Sequence, residues 1–270
     1  MCMMKTALIL CNKRSTRVVE LNLSGFHLQG SISPHIGNLS FLRSLQFQDN
    51  QLSGALPAQM RNLFRLIYLN LSQNILSGVI PSNITKLTEL RALDMMSNRI
   101  TGSIPNDLDR LAKLQVLNLR RNRFTGAIPA SIANISSLDT LSLGTNSLTG
   151  SIPTELCRLR NLKVLDLTIN YLRGLFVLSS IYNMSSLVVL ALASNDLWGR
   201  LPYNVGVTLP NLLVFNFCFN KFTGGIPGSL QILTNIKVIR MAYNLLGGTV
   251  PPGLGNLPFL EMLSTGDDGV

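Results

Sequence analysis

Apolar and polar residues alternate along this chain in a unit that recurs at nearly constant length. The clearest marker is an asparagine three residues after an apolar–x–apolar pair, as in the stretch Leu69-Asn70-Leu71-Ser72-Gln73-Asn74. The marker asparagines are Asn50, Asn74, Asn98, Asn122, Asn146, Asn170, Asn195, Asn220 and Asn244. Successive members are 24 residues apart, except for two steps of 25 residues. A fixed period of this size predicts a solenoid, in which each unit buries its apolar face only against its neighbours.

The first half of each unit predicts a short strand followed by a turn. Leu117 and Leu119 alternate with polar residues at a period of two, which predicts a strand with both leucines facing inward. We expect such strands to stack in parallel as the concave sheet of a horseshoe. Asn122 follows where the backbone turns, and its amide can both donate and accept hydrogen bonds there. The nine asparagines are therefore predicted to form a structural ladder rather than a catalytic array.

The second half of each unit predicts a convex side without long helices. Gly126 permits a backbone conformation that other residues resist, and Pro129 then fixes an extended stretch. Two units depart from this pattern: one residue is added after Gly174, and another falls within 206–210. We expect both insertions to bulge from the convex or flanking side without breaking the concave sheet.

These patterns together predict an α/β fold: a right-handed leucine-rich-repeat solenoid with a concave parallel β-sheet and a 3-10 or irregular convex side. The expected divisions are an N-terminal remnant of a cap or signal region over 1–16, the solenoid over 17–263, and a truncated tail over 264–270. The solenoid would hold about ten repeats of 24–25 residues. Phe26 occupies the ladder position of the first unit, as in an atypical terminal repeat. No polar capping unit follows the last strand pattern, so we expect the chain to be part of something longer.

The composition predicts a cationic surface, but the arrangement of the basic residues does not indicate a nucleic-acid site. The net charge is +10, although charged residues make up only 13% of the chain. The basic residues are dispersed and no aromatic platform is interleaved with them, so a generally cationic solenoid is favoured over nucleic-acid binding. No apolar run approaches the ~18 residues needed to span a bilayer, so no transmembrane segment is predicted. The N-terminus imitates a signal peptide but lacks a clear cleavage site, which leaves the compartment open.

Candidates for catalysis or metal binding are sparse. The only histidines, His27 and His35, have no acid or nucleophile predicted to converge with them. The four cysteines have no metal-ligand spacing, and no Gly-x-Ser-x-Gly elbow is present. We therefore predict that the chain is not an enzyme and holds no cofactor or metal. Cys2 and Cys11 are a candidate disulfide pair if the chain is extracellular.

The extended unit Leu-x-x-Leu-x-Leu-x-x-Asn-x-Leu-x-Gly-x-Ile-Pro resembles the plant-specific leucine-rich repeat. Its last part recurs, for example, as Gly102-Ser103-Ile104-Pro105, and the resemblance covers about residues 17–263. More closely, the chain resembles part of the ectodomain of a plant leucine-rich-repeat receptor-like serine/threonine kinase. That resemblance implies a peptide or protein ligand, a co-receptor ectodomain as a further partner, and a plasma-membrane or extracellular location for the family. The kinase motifs are absent from this sequence, so the resemblance implies no kinase activity here.

A ligand site is predicted on the concave face from the exposed positions around each strand. These positions are polar in the early and middle repeats, apolar from Val188 to Phe219, and polar again afterwards. An apolar patch with a charged rim is the usual composition of an interaction site; the alternative is that the valines are half buried at the sheet edge. We expect an extended peptide to place side chains in this patch and acidic groups near Arg120, Arg121 or Arg240. The predicted ligand-binding residues are Arg91, Asp94, Gln115, Asn118, Arg120, Arg121, Asp139, Asp166, Val188, Val189, Leu213, Asn216, Phe219, Arg240 and Tyr243.

Six Asn-x-Ser/Thr sequons are candidate glycosylation sites, at Asn22, Asn38, Asn70, Asn83, Asn134 and Asn183. Asn22 and Asn70 fall between inward leucines, so a glycan on either would obstruct the concave face of the first repeats. We therefore expect any ligand from the third repeat onward.

Three functions remain open from the sequence. The favoured one is a receptor-like ligand-recognition module in plant defence or developmental signalling. A secreted leucine-rich-repeat inhibitor of cell-wall polygalacturonase is an alternative, but such inhibitors carry cysteine pairs at both caps and this chain has none near its C-terminal end. The third is a truncated gene product with no independent role.

Overall fold

The computed structural model describes residues 8–11, 17–175 and 184–266. The predicted solenoid with a parallel concave sheet is confirmed, because one twelve-stranded sheet runs along its whole length. Its strands, in spatial order, are β1 (Leu8–Cys11), β2 (Val18–Asn22), β4 (Ser44–Gln46), β6 (Tyr68–Asn70), β8 (Ala92–Asp94), β10 (Val116–Asn118), β12 (Thr140–Ser142), β14 (Val164–Asp166), β16 (Val189–Ala191), β18 (Val214–Asn216), β20 (Val238–Arg240) and β22 (Met262–Ser264).

The register of this sheet places the same repeat position side by side in every strand. Leu117 of β10 pairs with Leu93 on one side and Leu141 on the other. All three leucines are fully buried, so the central residues of successive strands stack into one apolar layer. Because side chains alternate along a strand, a slip of one residue would turn this layer outward. The strict repeat length therefore sets the register.

The two ends of the concave sheet differ from the predicted divisions in detail. β1 lies in the segment predicted as a remnant, and it pairs antiparallel with β2, covering that edge of the sheet. β22 includes Ser264, so the last strand extends one residue into the predicted tail. The candidate Cys2–Cys11 disulfide lies outside what the structure describes, because Cys2 is not described and only the backbone of Cys11 is.

A second set of short strands follows the turns and was not predicted from the sequence. One group forms a three-stranded sheet of β3 (Gln29–Ser31), β5 (Gln51–Gly54) and β7 (Ile75–Leu76). The other group, here called the lateral sheet, comprises β9 (Thr101–Ser103), β11 (Arg123–Gly126), β13 (Ser147–Gly150), β15 (Tyr171–Leu175), β17 (Asp196–Arg200), β19 (Lys221–Gly224) and β21 (Leu245–Leu246). All its neighbouring strands are parallel.

The convex side consists mainly of short 3-10 segments, as expected. They are Pro34–Asn38, Ala58–Asn62, Ser82–Lys86, Leu108–Arg110, Ala130–Asn134, Thr154–Arg158, Gly228–Ile232 and Pro252–Asn256. The insertion within 206–210 instead produces a single α-helical turn, α1 (Val205–Thr208). There the Leu209 N–H donates to the Val205 carbonyl, four residues back, whereas the Leu159 N–H donates to Leu156, three residues back. The extra residue is thus absorbed by widening a 3-10 turn into an α turn; the insertion after Gly174 falls within 176–183, outside the described residues.

The ladder asparagines bond the backbone of adjacent repeats together. Asn146 Nδ2 donates to the Leu143 carbonyl at 2.9 Å and to the Leu119 carbonyl of the preceding repeat at 3.1 Å. Its Oδ1 accepts the Phe124 N–H of that preceding repeat at 3.0 Å. The same pattern recurs at the first and last ladder positions, Asn50 and Asn244. Each side chain therefore satisfies turn peptides that would otherwise be buried without partners.

Candidate functional site

The concave face carries parallel rows of side chains, because each strand contributes its first and third residues to the surface. The row of first residues is largely apolar along the middle and late repeats: Ala92, Val116, Thr140, Val164, Val189, Val214 and Val238. All of these residues are half-buried. The expected change from a polar to an apolar surface near Val188 is therefore wrong for this row, which is already apolar at Val116. Val189 and Val214 follow the alternative interpretation, in which the valines are half-buried parts of the sheet.

Several polar residues of the next row hold the turn that follows each strand. Asp166 Oδ1 accepts the Thr168 N–H at 3.0 Å and the Thr168 hydroxyl at 2.6 Å. Side-chain oxygens of three further predicted ligand-binding residues accept a backbone N–H two residues on in the same way; they are Asp94, Asn118 and Asn216. Such short side-chain-to-backbone bonds stabilise a turn. These side chains therefore have a structural role, whatever ligand they face.

The buried environment of Asp94 changes its acidity. Burial raises the pKa of Asp94, because desolvation penalises the charged form. Hydrogen bonds from the Met96 N–H and the Asn118 amide act in the opposite direction and favour the charged form. Asp94 Oδ2 accepts the Asn118 Nδ2 at 3.1 Å, so this carboxyl links two repeats across the concave face.

The residue before each ladder position adopts a left-handed backbone conformation. Before the nine ladder asparagines these residues are Asp49, Gln73, Ser97, Arg121, Thr145, Ile169, Ser194, Phe219 and Tyr243; in the first unit Gly25 has this position, and His27 is left-handed as well. Asparagine and aspartate tolerate this conformation, whereas β-branched and bulky residues are unfavourable there. Ile169, Phe219 and Tyr243 nevertheless occupy it with side chains that are 51%, 53% and 47% exposed. The left-handed backbone costs free energy at these three positions, and their exposed side chains recover little of it by burial. Such a combination points to a role in binding.

These three side chains form an apolar surface at one edge of the concave face. We call Ile169, Phe219 and Tyr243 the shelf. The rings of Phe219 and Tyr243 stack with their centroids 4.3 Å apart and their planes 12° apart. A depression of about 510 Å³ is lined by the shelf together with Ala193, Cys218 and other residues of the late repeats. Those two residues and Ala242 are small and buried, which leaves room above them.

Two arginines from different repeats contribute to this depression. Arg120 and Arg240 both line it, although they belong to repeats that lie far apart along the solenoid. The Arg120 Nε lies 3.3 Å from Asp166 Oδ2, in an ion pair without the geometry of a hydrogen bond. Gly144 lies between them: a Cβ there would be 2.8 Å from the carboxylate of Asp166. The absence of a side chain at Gly144 thus allows Arg120 to extend across a repeat toward the shelf.

The predicted apolar patch is divided between two places. Phe219 belongs to the depression at the shelf, whereas Val188 and Leu213 line a second depression of about 510 Å³. The two depressions share no lining residue, because Val188 and Leu213 precede their strands and Phe219 follows its strand. Lys163 and Lys237 add positive charge to the second depression.

The other predicted residues fall unevenly between these depressions. Arg120, Asn216, Phe219, Arg240 and Tyr243 are brought together at the shelf. Eight predicted residues line neither depression: Arg91, Asp94, Gln115, Asn118, Arg121, Asp139, Asp166 and Val189. Sequence reasoning missed Ile169, although its apolar identity just before a ladder asparagine was a usable signal.

The sequons differ in how their asparagines are engaged. Asn22 and Asn70 end concave strands, and Oδ1 of each accepts the hydroxyl of its sequon serine. Asn83 Nδ2 donates to the Ala58 carbonyl at 2.9 Å. Asn38 and Asn134 are exposed at the ends of convex 3-10 segments, and Asn183 lies outside the described residues.

The described residues contain neither a cluster of metal ligands nor a helix that could cross a membrane. Among residues 8–11, 17–175 and 184–266, no three His, Cys, Asp or Glu side chains come together as a metal site would require. The helices in the same ranges are all too short or too polar to cross a membrane.

The repeats match a protein-family model and, over a shorter stretch, a plant receptor-like kinase. A family model described as a leucine-rich repeat region matches residues 22–176, more than half of the chain. The LRR receptor-like serine/threonine-protein kinase EFR of Arabidopsis thaliana is 50% identical over 52 residues, which is 19% of this chain and 5% of that protein.

Two solved structures resemble the solenoid over most of its length. The plant peptide hormone receptor RGFR1, in complex with RGF2, has a TM-score of 0.85 and 34% identity; the match covers 92% of this chain and 39% of that chain. The Arabidopsis receptor kinase HAESA, in complex with the peptide hormone IDA and the co-receptor SERK1, has a TM-score of 0.83 and 32% identity. That match covers 93% of this chain and 43% of that chain. The chain therefore spans less than half of each receptor chain.

Proposed function

The chain belongs to the leucine-rich-repeat family, and on that premise we propose that it is a receptor-like module that recognises an extended peptide or protein segment in plant defence or developmental signalling. The observation that carries this proposal is the shelf. Ile169, Phe219 and Tyr243 are exposed apolar side chains on left-handed backbone, where they add little to the core.

The shelf and its two arginines suit a ligand with mixed chemistry. An apolar or aromatic ligand side chain packs against the Phe219–Tyr243 stack, while carboxylates approach Arg120 or Arg240. Arg120 is already oriented by Asp166, so less side-chain freedom is lost when a carboxylate binds. A desolvated aromatic contact of this kind contributes on the order of 1–3 kcal/mol, and it is the usual origin of a binding hot spot.

The similar receptors support a peptide ligand and a second protein partner. RGFR1 is seen with RGF2, and HAESA with a peptide hormone and a co-receptor. A shared fold does not by itself transfer a ligand. The proposal therefore rests on the shelf of this chain, and the likeness supplies the class of ligand to test first.

The test is a peptide selection in which the shelf is the only variable. A random peptide library is selected on the unaltered chain alone, and the affinities of the selected peptides are then measured on the unaltered chain and on the double variant Phe219→Asn/Tyr243→Asn. Asparagine tolerates the left-handed backbone at both positions, so the variant removes the apolar surface without straining the turn. The control is Tyr68→Thr, which removes an exposed tyrosine from the concave strand β6, far from the shelf.

The expected peptides carry an apolar side chain close to an acidic group. Their affinity should fall at least about tenfold on the double variant and stay within about twofold on the control. Peptides that bind the double variant as tightly as the unaltered chain would overturn the proposal. Loss of binding on Tyr68→Thr alone would move the site to the early repeats and would also overturn it.

A further inference from the structure

The lateral sheet exposes the only tryptophan of the chain. Trp198 lies in the middle of β17, and it is 49% exposed. Tryptophan is highly buried on average, so an exposed position in the middle of a strand needs a reason. Its paired residue on β15 is Leu175, which is also exposed, and Tyr171 lies at the start of the same strand.

Positive charge surrounds these apolar side chains. Arg173 on β15 and Arg200 on β17 are both exposed. Lys221 on the next strand forms an ion pair with Asp196. Within the described part of the chain, no carboxylate lies within ion-pair distance of Arg173 or Arg200. Asp196 is the sheet partner of Arg173, and its carboxylate pairs with Lys221. Arg173, Arg200 and Lys221 together therefore leave an excess of positive charge beside Trp198.

The side chain of Arg200 lies beside a glycine of the neighbouring strand. A Cβ at Gly224 would be 3.4 Å from Cγ and 3.5 Å from Cδ of Arg200. The stem of Arg200 thus lies along the neighbouring strand, over a position without a side chain.

The exposed residues form one continuous area. We call Tyr171, Arg173, Leu175, Trp198 and Arg200 the lateral patch. Adjacent parallel strands lie about 4.8 Å apart and rise about 3.3 Å per residue, so the patch covers roughly 10 by 14 Å. Tryptophan, tyrosine and arginine are the residues most enriched in protein-binding hot spots. The composition of the patch therefore favours protein contact over simple solvation.

We propose that the lateral patch is a docking surface for an acidic segment of a protein partner. Carboxylates of that segment pair with Arg173 and Arg200, and one apolar side chain packs between Leu175 and Trp198. This site is separate from the shelf, because none of its residues lines the depression there. It is therefore a second surface, which leaves the concave face available to a ligand.

Charge and chemistry argue against the other occupants of such a face. A second copy of this chain would bring its own net charge of +10 toward a positive patch. Nucleic acid binds through many phosphate contacts, and the lateral patch offers only two arginines. An acidic polysaccharide would leave Leu175 without an apolar partner. A protein segment satisfies both the arginines and the leucine.

Because Trp198 is the only tryptophan of the chain, tryptophan fluorescence reports on the lateral patch alone. Trp198 emission is recorded while the full chain is titrated with a synthetic peptide in which glutamates flank one central leucine. The control peptide replaces every glutamate with glutamine. We expect a saturable change of emission with the acidic peptide only, and a weaker affinity as salt screens the charges.

Matched variants separate the patch from the general charge of the chain. Arg173→Gln/Arg200→Gln should weaken peptide binding at least about tenfold, whereas Arg99→Gln/Arg123→Gln, which removes two exposed arginines from earlier repeats, should change it less than about twofold. Equal thermal stability of these variants would show that the fold is unchanged.

Four results would overturn the proposal. The first is Trp198 emission that does not change when the acidic peptide is added. The second is an equal loss of peptide affinity in the two arginine variants. The third is tighter binding of polygalacturonate or an oligonucleotide, which would assign the patch to another polyanion. The last is concentration-dependent protection of Trp198 from acrylamide quenching, which would assign it to a second copy. None of these results bears on the shelf, so the concave proposal is tested separately.

Discussion

Removal of a single ladder asparagine should destabilise the solenoid far more than the loss of an ordinary surface amide. Asn146 is 8% exposed, and its Oδ1 is the acceptor for the Phe124 N–H at 3.0 Å. In Asn146→Ala that buried N–H loses its acceptor. A buried donor left unsatisfied costs about 1–3 kcal/mol.

The carbonyls of Leu119 and Leu143 lose less, because each keeps another ladder donor; a third carbonyl, that of Gly144 at 3.4 Å, only shares one of the two Asn146 amide hydrogens. The Leu119 carbonyl also accepts from Asn122 at 3.1 Å, and the Leu143 carbonyl from Asn170 at 3.2 Å. Each therefore loses one of its two hydrogen bonds, worth about 0.5–1.5 kcal/mol. Together with the orphaned N–H, the expected cost is about 2–6 kcal/mol, a large part of the total stability of a folded domain.

Urea unfolding followed by circular dichroism measures this loss as a lower transition midpoint. The control is Asn161→Ala, since Asn161 is exposed on the convex side and its Nδ2 donates only to the Ser136 carbonyl at 3.0 Å. That variant should cost no more than about 1 kcal/mol. Asn146→Asp should be at least as damaging as the alanine, because a carboxylate would face the carbonyl oxygens. Equal midpoints for Asn146→Ala and Asn161→Ala would refute the reasoning.

Three further outcomes follow from particular positions. Burial raises the pKa of Asp94. The contribution of this carboxyl to stability is therefore complete below the ordinary carboxyl pKa, and it is lost as pH rises through the folded-state pKa. The free energy of unfolding of Asp94→Asn, measured with urea, should rise relative to that of the unaltered chain as the pH is raised from acidic to neutral. Ile169→Asn should raise stability by about 1 kcal/mol by relieving the left-handed backbone, while weakening the binding of selected peptides. After expression through a eukaryotic secretory pathway, mass spectrometry should find a glycan on the exposed Asn38 and none on Asn83, whose Nδ2 is bonded to the Ala58 carbonyl.

The concave sheet could be predicted because its signals are local and repeated. Leu117 and Leu119 show the strand period directly, and Asn122 marks the turn in the same unit. The lateral sheet was missed because the residues after Asn122, such as those of Arg123–Gly126, alternate without an inward apolar pair and end in glycine. Such a segment looks like a turn in one repeat, and it becomes a strand only when the neighbouring repeats supply partners.

The candidate site was predicted in part, for reasons that the backbone explains. Phe219 and Tyr243 were found because exposed aromatic residues are conspicuous in the sequence. Ile169 was missed although it holds the same position before a ladder asparagine as Phe219 and Tyr243, with φ of 54°, because an aliphatic residue is less conspicuous there than an aromatic one. Leu213 was wrongly joined to Phe219 in one patch, because closeness in sequence hides the fact that they lie at opposite ends of strand β18.

The most direct test of the concave site is a crystal structure of the chain with a peptide selected as described above. We expect an extended peptide along the concave face, with an apolar side chain against the Phe219–Tyr243 stack and a carboxylate at Arg120 or Arg240. A peptide bound on the convex side or on the lateral sheet, with the shelf still exposed to solvent, would contradict this expectation.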